Sequence, residues 1–310
     1  MRVVEAEAPA LPKSPVGSED TAAGFVYAFS AYTLWGFLPL YMKLLDKIPA
    51  VEVIAHRAFW SLPVAGLILW WLGRTGDILP TLKSPRRLAI LFATAFVISL
   101  NWGIYVWAIS VERTIETAMG YYINPLITVA LAAIFLGDRF TRPQLLAISL
   151  AVLAVLILTV KGGGLPWVSL VLAFSFAAYG FLRKMVDVGP TQGFLVEVLL
   201  LAPIAFGFIL YWQMTGTSHF LDAPWLTLMF LGCGPVTAVP LILYAFGAKG
   251  LRLSTIGLMQ YIAPTMIFLI GLFVFGEPFS TWQLTAFILI WAALAIYSWS
   301  VFIRPRAKPV

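Results

Sequence analysis

The sequence predicts an all-α membrane protein: ten transmembrane helices arranged as two inverted five-helix repeats. Three observations carry that expectation. The chain is 61% hydrophobic and only 11% charged, whereas soluble domains carry about 25% charged residues, so its polar groups could not cover the two soluble cores that 310 residues would otherwise suggest. Ten mostly apolar stretches approach the roughly 20 residues that a helix needs to cross a hydrocarbon core of about 30 Å. A constant offset, the one that separates Pro125 from Pro264, lays the fourth and fifth stretches over the ninth and tenth without a gap. Strands are excluded because the runs are too long and an open sheet edge cannot face lipid.

In order, residues 1–21 read as a disordered tail: the first twenty hold three prolines and four acids, and they lack a signal-peptide layout. The first span is Ala22–Tyr41, with Trp35 as a candidate wall of a solute pathway. The second, Val51–Leu72, carries "EVIAHRAFW" and so brings Glu52, His56 and Arg57 into the membrane. The third, Leu88–Ser110, contains Asn101. The fourth, Ile115–Leu136, contains Glu116, Tyr122, Asn124 and Pro125. The fifth, Gln144–Val160, and the sixth, Leu165–Leu182 with Tyr179, are the shortest, and "KGGG" at 161–164 between them is the one flexible hinge. The seventh, Gly193–Trp212, has Glu197 as its only charge. The eighth, Trp225–Ala248, precedes Ser254–Phe275, which holds Gln260, Tyr261 and Pro264. Trp282–Ile303 is the tenth, and 304–310 form a short closing tail.

Lysine and arginine set the orientation. If the amino terminus is cytoplasmic, fifteen of the 20 Lys and Arg residues fall on the inner side. Four fall outside (Lys43, Lys47, Arg113 and Lys161), and Arg57 lies within a span. Both termini are therefore expected in the cytoplasm.

The repeat rests on polar and proline matches, which chance in apolar sequence does not supply. Arg113 meets Arg252, Tyr122-Ile123 meets Tyr261-Ile262 and Pro125 meets Pro264. Gly137-Asp138 meets Gly276-Glu277, and Gln144-Leu145 meets Gln283-Leu284. Corresponding spans are five apart, an odd number, so they cross in opposite senses. The halves, 22–160 and 165–303, are then inverted repeats. That arrangement places a substrate site near the midplane and lets one half rock against the other.

Each proline is the eleventh residue of a 22-residue span. Each frees a carbonyl four residues earlier, on Tyr121 and Gln260. The two helices are expected to bend there and frame a pathway; static kinks that improve packing are the competing reading.

Ionisable groups inside a membrane mark a pathway or a pair. Glu52 and His56 share a helix face at i, i+4, while Arg57 points about 140° from Glu52. Aligning Pro63 with Pro203 sets Arg57 opposite Glu197 in the repeat. Depth places them some 12–15 Å apart along the membrane normal, too far for a direct bridge. They are expected to supply one charge of each sign in opposite halves of a single pathway; snorkelling or bonding to a neighbouring helix is the bland alternative. A carboxylate-bearing solute could meet Arg57, and proton coupling through Glu197 or His56 is permitted, as is facilitated diffusion. Glu116 could instead neutralise Arg113 and a helix N-terminus. Asn101 and Asn124 serve equally as substrate contacts or as glue between helices.

Other classes find little support. The lone Cys233 permits no intrachain disulfide. His56 lacks metal-ligand spacing, so neither metal nor cofactor is expected. "KGGGLPW" lacks the GK[ST] of a P-loop. No Ser-His-Asp or carboxylate-dyad constellation points to an enzyme. The net charge of +6 is scattered through short loops, which argues against nucleic acid.

The segments "AAYGFLRK", "RTIETAMGYYINPLITVALAAIFLGDRFTRPQLLAI" and "LRLSTIGLMQYIAPTMIFLIGLFVFGE" resemble the EamA repeat of the drug/metabolite transporter superfamily. "AYTLWGFLPLYMKLL" with "EVIAHRAFWS" resembles the RarD branch of that family, and the likeness runs from about Gly24 to Val301. The resemblance implies two EamA repeats in a bacterial inner membrane, a central cavity built by helices one to four and six to nine, and peripheral helices five and ten. It implies a secondary transporter that exports a small amphiphilic metabolite, amino-acid-like compound or drug by alternating access, and it associates the RarD branch with chloramphenicol sensitivity. The competing expectation is a non-transporting membrane sensor or scaffold that affects drug sensitivity indirectly. Substrate identity and oligomeric state are open at this level.

Overall fold

A computed structural model describes residues 20–76, 78–136 and 141–303. The described residues are helical or in turns, with no strand among them. The helices are α1 (Ala22–Lys43), α2 (Ala50–Trp71), the short α3 (Ile78–Leu82), α4 (Pro85–Ser110), α5 (Thr114–Leu136) and α6 (Arg142–Lys161). They continue with α7 (Trp167–Lys184), α8 (Pro190–Thr215), α9 (Pro224–Lys249), α10 (Leu253–Met259), α11 (Ile262–Leu269), a π-helical turn (Ile270–Val274) and α12 (Thr281–Ile303). Among these residues nine helical stretches are long and apolar enough to cross a membrane, α10, α11 and the π turn together making one of them. The remaining long helix is α7. It has only 18 residues and ends on Arg183-Lys184, so any 18-residue window in it includes both charges.

The helix starts follow local chemistry. Prolines open α4, α8 and α9 at the first turn, where a missing N–H costs nothing. The Gln144 side chain accepts the Thr141 backbone N–H at 3.0 Å, and the Gln283 side chain accepts that of Ser280 at 2.8 Å. This pair matches under the repeat offset, and both glutamines do the same work: each reaches back to the residue that caps its helix. Gly137 and Asp138, part of the same match, lie outside the described residues, as do the tails apart from Asp20 and Thr21. Those two, which the sequence assigns to the tail, are held. Thr21 bonds Gly250 O through both its backbone N–H and its hydroxyl, at 2.9 and 3.0 Å. The Asp20 carboxylate accepts the Arg252 backbone N–H and the Thr255 hydroxyl, both at 2.8 Å.

The principal contacts come in pairs. α1 packs on α9 as α7 packs on α4, and α5 packs on α7 as α11 packs on α1. α2 packs on α8, α5 on α11 and α6 on α12. Exchanging each span for the one five positions away carries these contacts onto one another. The helices approach closely where a side chain is missing. A Cβ at Gly120 would lie 2.7 Å from the Ser169 carbonyl oxygen, and one at Gly247 would lie 2.7 Å from Ala28 N. Small residues let backbones pack in lipid, where burial of apolar surface gives no driving force. α6 and α12 are the least buried of the nine spans, so they stand at the periphery. Large apolar side chains such as Trp71, Phe135, Val160 and Phe273 face outward, as a lipid-solvated surface requires.

Candidate functional site

Two polar centres lie inside the helical body, and a third lies at one end. The first surrounds Arg57 on α2, which is buried. Its Nε donates to Thr237 Oγ1 of α9 at 3.1 Å, and that hydroxyl in turn donates to the Cys233 carbonyl at 2.8 Å. The guanidinium carbon sits 4.8 Å from the centre of the Trp102 ring of α4. No described carboxylate forms an ion pair with it. The Arg57 Nη1 and Tyr105 Oη atoms are both buried without a hydrogen-bond partner among the described residues.

The second centre surrounds Glu197 on α8. Its Oε1 accepts the Thr94 hydroxyl of α4 at 2.7 Å and lies 3.7 Å from Arg183 Nε of α7, while Oε2 accepts the Tyr179 hydroxyl at 3.2 Å. Thr94 also reaches the Leu91 carbonyl at 2.9 Å. Its single proton serves one acceptor, and a charged carboxylate makes the stronger bond. Arg57 and Glu197 thus have separate partners, α4 supplying Trp102 to one and Thr94 to the other, and they make no ion pair with each other.

The third centre is a cavity of about 520 Å³ lined by Arg113, Glu116, Gly162–Gly164, Pro278, Ser280 and Gln283, among others. It gathers the α4–α5, α6–α7 and π turn–α12 connections at one end of the bundle. Glu116 takes both ends of the Arg113 side chain, Nε–Oε1 at 2.5 Å and Nη2–Oε2 at 2.8 Å. Its charge is therefore spent locally. A flank pocket of about 610 Å³ is lined by Arg142, Pro143, Leu146, Ala295, Ile296 and Trp299. Neither cavity is lined by Arg57 or Glu197.

The remaining candidates are distributed. His56 Nδ1 accepts the Trp60 indole N–H at 3.0 Å, and its ring packs on Phe220 and Phe230 at 4.9 and 4.2 Å. The expected helix-face partner, Glu52, turns instead to His219, accepting its backbone N–H at 2.8 Å and meeting Nδ1 at 2.7 Å. Asn101 uses both ends of its amide: Nδ2 donates to Leu172 O at 3.1 Å and Ser175 Oγ at 2.8 Å, and Oδ1 accepts from Tyr121 at 3.1 Å. Asn124 donates to Ala173 O at 3.1 Å. Both amides thus tie their helices to α7. Trp35 stacks edge-on with Tyr32 at 5.6 Å and near Tyr244 at 5.7 Å. The Gln260 side chain donates to Gly257 O at 2.9 Å.

Tyr122 and Tyr261, equivalent under the repeat offset, stack on each other with centroids 6.3 Å apart, and Tyr122 Oη meets Thr265 Oγ1 at 2.6 Å. The Glu277 carboxylate, past the π turn, accepts the Thr114 and Ile115 backbone N–H groups at 2.7 and 2.8 Å. The start of α5 therefore meets the end of the ninth span, and the two run antiparallel. α5 is one uninterrupted helix through Pro125, whereas the ninth span breaks at Gln260-Tyr261, four residues ahead of Pro264.

Comparison with known proteins agrees with this architecture. Residues 22–160 match the model of the EamA-like transporter family. Protein RarD of Streptomyces exfoliatus is 41% identical over 288 residues, covering 93% of this chain and 91% of that protein. The chain belongs to the RarD group of the EamA-like transporter family. An uncharacterized transporter of Bacillus subtilis, YojE, is 40% identical, covering 93% of this RarD-group chain and 98% of its own. The chloramphenicol-sensitive protein RarD of Pseudomonas aeruginosa is 31% identical, covering 89% and 93%. One protein of known crystal structure superposes with a TM-score of 0.59 at 17% identity, over 90% of this chain and 97% of that one; that likeness is one of fold. This RarD-group protein is a multi-pass membrane transporter of the drug/metabolite superfamily.

Sequence reasoning missed several of the residues that complete its polar centres. Thr94, Thr237 and Tyr105 are ordinary in composition, and only packing brings them to a charge. Arg183 was legible: it stands four residues after Tyr179, on the same helix face. Glu277 carried a signal too, as a repeat-matched acid just past a span.

Proposed function

We propose that this RarD-group protein is a secondary transporter that moves a small amphiphilic organic solute outward by alternating access, with ten spans in two inverted five-helix repeats. Its membrane is the bacterial inner membrane, with both termini in the cytoplasm. The observation that carries this reading is the stacking of Tyr122 on Tyr261. Two residues that the repeat makes equivalent can touch only on the axis relating the halves, and α5 and its counterpart run antiparallel there. A two-fold axis in the membrane plane makes an inward-open state convertible into its outward-open mirror by exchanging the roles of the halves. Trp35, His56, Arg57, Asn101, Glu116, Tyr122, Asn124, Tyr179, Glu197, Gln260 and Tyr261 are read as the pathway, and Pro125 and Pro264 as its bends. Arg57 and Glu197 provide its charge. The amides of Asn101 and Asn124 and the Arg113–Glu116 pair contribute by fixing helices rather than by contacting solute. Glu197, held by Thr94 and Tyr179, is the group through which a proton would couple.

The test is flux in proteoliposomes of the purified protein, over a panel that includes chloramphenicol, the compound in one relative's name. Saturable counterflow that falls in Glu197→Gln, with folding intact, is expected. Absence of saturable flux for every solute would sink the carrier reading.

A further inference from the structure

A cation buried among apolar helices is unusual for what surrounds Arg57. Arginine keeps its charge at any accessible pH, and ionisable groups inside a membrane face the bundle interior and take partners. Here Nε is fixed by Thr237, whose own proton is committed to Cys233, so the guanidinium is oriented from one side. Trp102 covers a face. Among the described residues Nη1 has no acceptor and the buried Tyr105 hydroxyl has no partner. Tyr105 follows Trp102 by three residues on the same face of α4, and its ring lies 5.9 Å from that of Tyr121. Buried polar groups are nearly always paired, so two orphaned groups beside one uncompensated charge point to a ligand.

Resting on the carrier reading above, we propose that Arg57 and Tyr105, closed off in this conformation, bind the carboxylate of an amphiphilic organic monoanion when the halves part, with its apolar body against the Trp102, Tyr105 and Tyr121 rings. Charge selects the class. One guanidinium neutralises one negative charge, and a phosphate dianion would leave a net charge in a low-dielectric interior, where such charges are costly. A carboxylate accepts from Nη1 and from the tyrosine hydroxyl at once, as charge-assisted bonds. An amino acid would also need an anion for its ammonium group, and Glu197 already accepts from Thr94 and Tyr179.

The experiment is thermal-shift titration of the purified full chain with a size-graded series of monocarboxylates from acetate to phenylacetate, indole-3-acetate and decanoate. Phenylacetamide serves as the neutral match and phenyl phosphate as the dianion. At least one carboxylate is expected to raise the melting temperature with dose, since a ligand of the folded form stabilises it, and its amide and phosphate counterparts are not. Arg57→Gln should weaken binding about tenfold or more, as loss of a charged hydrogen bond implies. Arg57→Lys should recover part of that, and Tyr105→Phe should weaken it about threefold. Arg57→Met, which removes an unpaired charge, is expected to fold and to melt no lower than the wild type, which separates lost binding from lost structure. The proposal is overturned if no carboxylate binds, if the amide or phosphate binds as tightly, or if Arg57→Gln binds unchanged. Its failure is distinct from that of the carrier reading. Saturable flux of a neutral solute, indifferent to Arg57→Gln, removes the anion site and keeps the carrier. Carboxylate binding without saturable flux of any solute does the reverse.

Discussion

At the scale of single residues, the buried charges are stabilised unequally. Glu197 has three partners from two other helices, whereas Arg57 has one hydroxyl and an aromatic face. Removing a partner from Glu197 should therefore be costly. Thr94→Val deletes the 2.7 Å bond and leaves the shape of the side chain, so a loss of about 1.5–3 kcal/mol is expected, read as a lowered melting temperature in detergent. A change below about 0.5 kcal/mol, typical of surface sites, would mean that water already serves the carboxylate. The Glu52–His219 contact is of another kind. It pins the α8–α9 connection to the start of α2 by a backbone N–H as well as a ring nitrogen, so part of it survives whichever charge state the histidine adopts.

At the scale of helices, contact distance rather than hydrophobicity decides packing. Gly120 faces the Ser169 carbonyl so closely that any Cβ collides with backbone, which cannot rotate away. Gly207, inside α8, has nothing within 4 Å of a Cβ. Gly120→Ala should thus destabilise by about 1–3 kcal/mol through overpacking, while Gly207→Ala should be neutral or stabilise by up to about 1 kcal/mol through helix propensity. Thermal melts of the two variants side by side check this, and equal effects would show that α5 and α7 do not meet there. The ninth span makes a related point about proline. Pro264 leaves the Gln260 carbonyl without its helical donor, and the helix is interrupted at that residue. Pro125 does the same to Tyr121 within an unbroken α5. One proline per repeat therefore gives two different local answers, because what fills the gap is set by neighbours and not by the proline.

At the scale of the molecule, both ends of the bundle are fastened by a carboxylate that caps a helix start. At one end Glu277 caps α5 and Glu52 holds His219. At the other, Asp20 caps the start of α10, joining the start of α1 to the ninth span. The Arg252 backbone N–H and then the Thr255 hydroxyl hold the Asp20 carboxyl below its ordinary range. A depressed folded value means that the contribution is present above the unfolded pKa and is lost as pH falls through the folded one. The melting temperature of Asp20→Asn should therefore lie below that of the wild type at neutral pH and converge with it below the usual carboxylate range. A gap that stays constant with pH would remove the charge from the account.

The sequence by itself determined the class and displayed the apolar stretches and their self-similarity, because those depend on quantities that a chain shows locally: apolar length, charge placement and matching letters. The Gln144 and Gln283 match was visible as a coincidence of letters and proved to be one capping device used twice. That Arg57 and Glu197 make no direct ion pair was also legible, since helical rise converts residue number into depth. Only the tertiary structure decided which polar groups meet. Thr94 with Glu197, Thr237 with Arg57 and Glu52 with His219 are each separated by more than 100 residues, and helix periodicity gives the direction a side chain takes but not the neighbour it finds. The same limit hid the bonds that Asn101 and Asn124 make to α7. A buried amide must satisfy its hydrogen bonds, and the nearest helix decides with what.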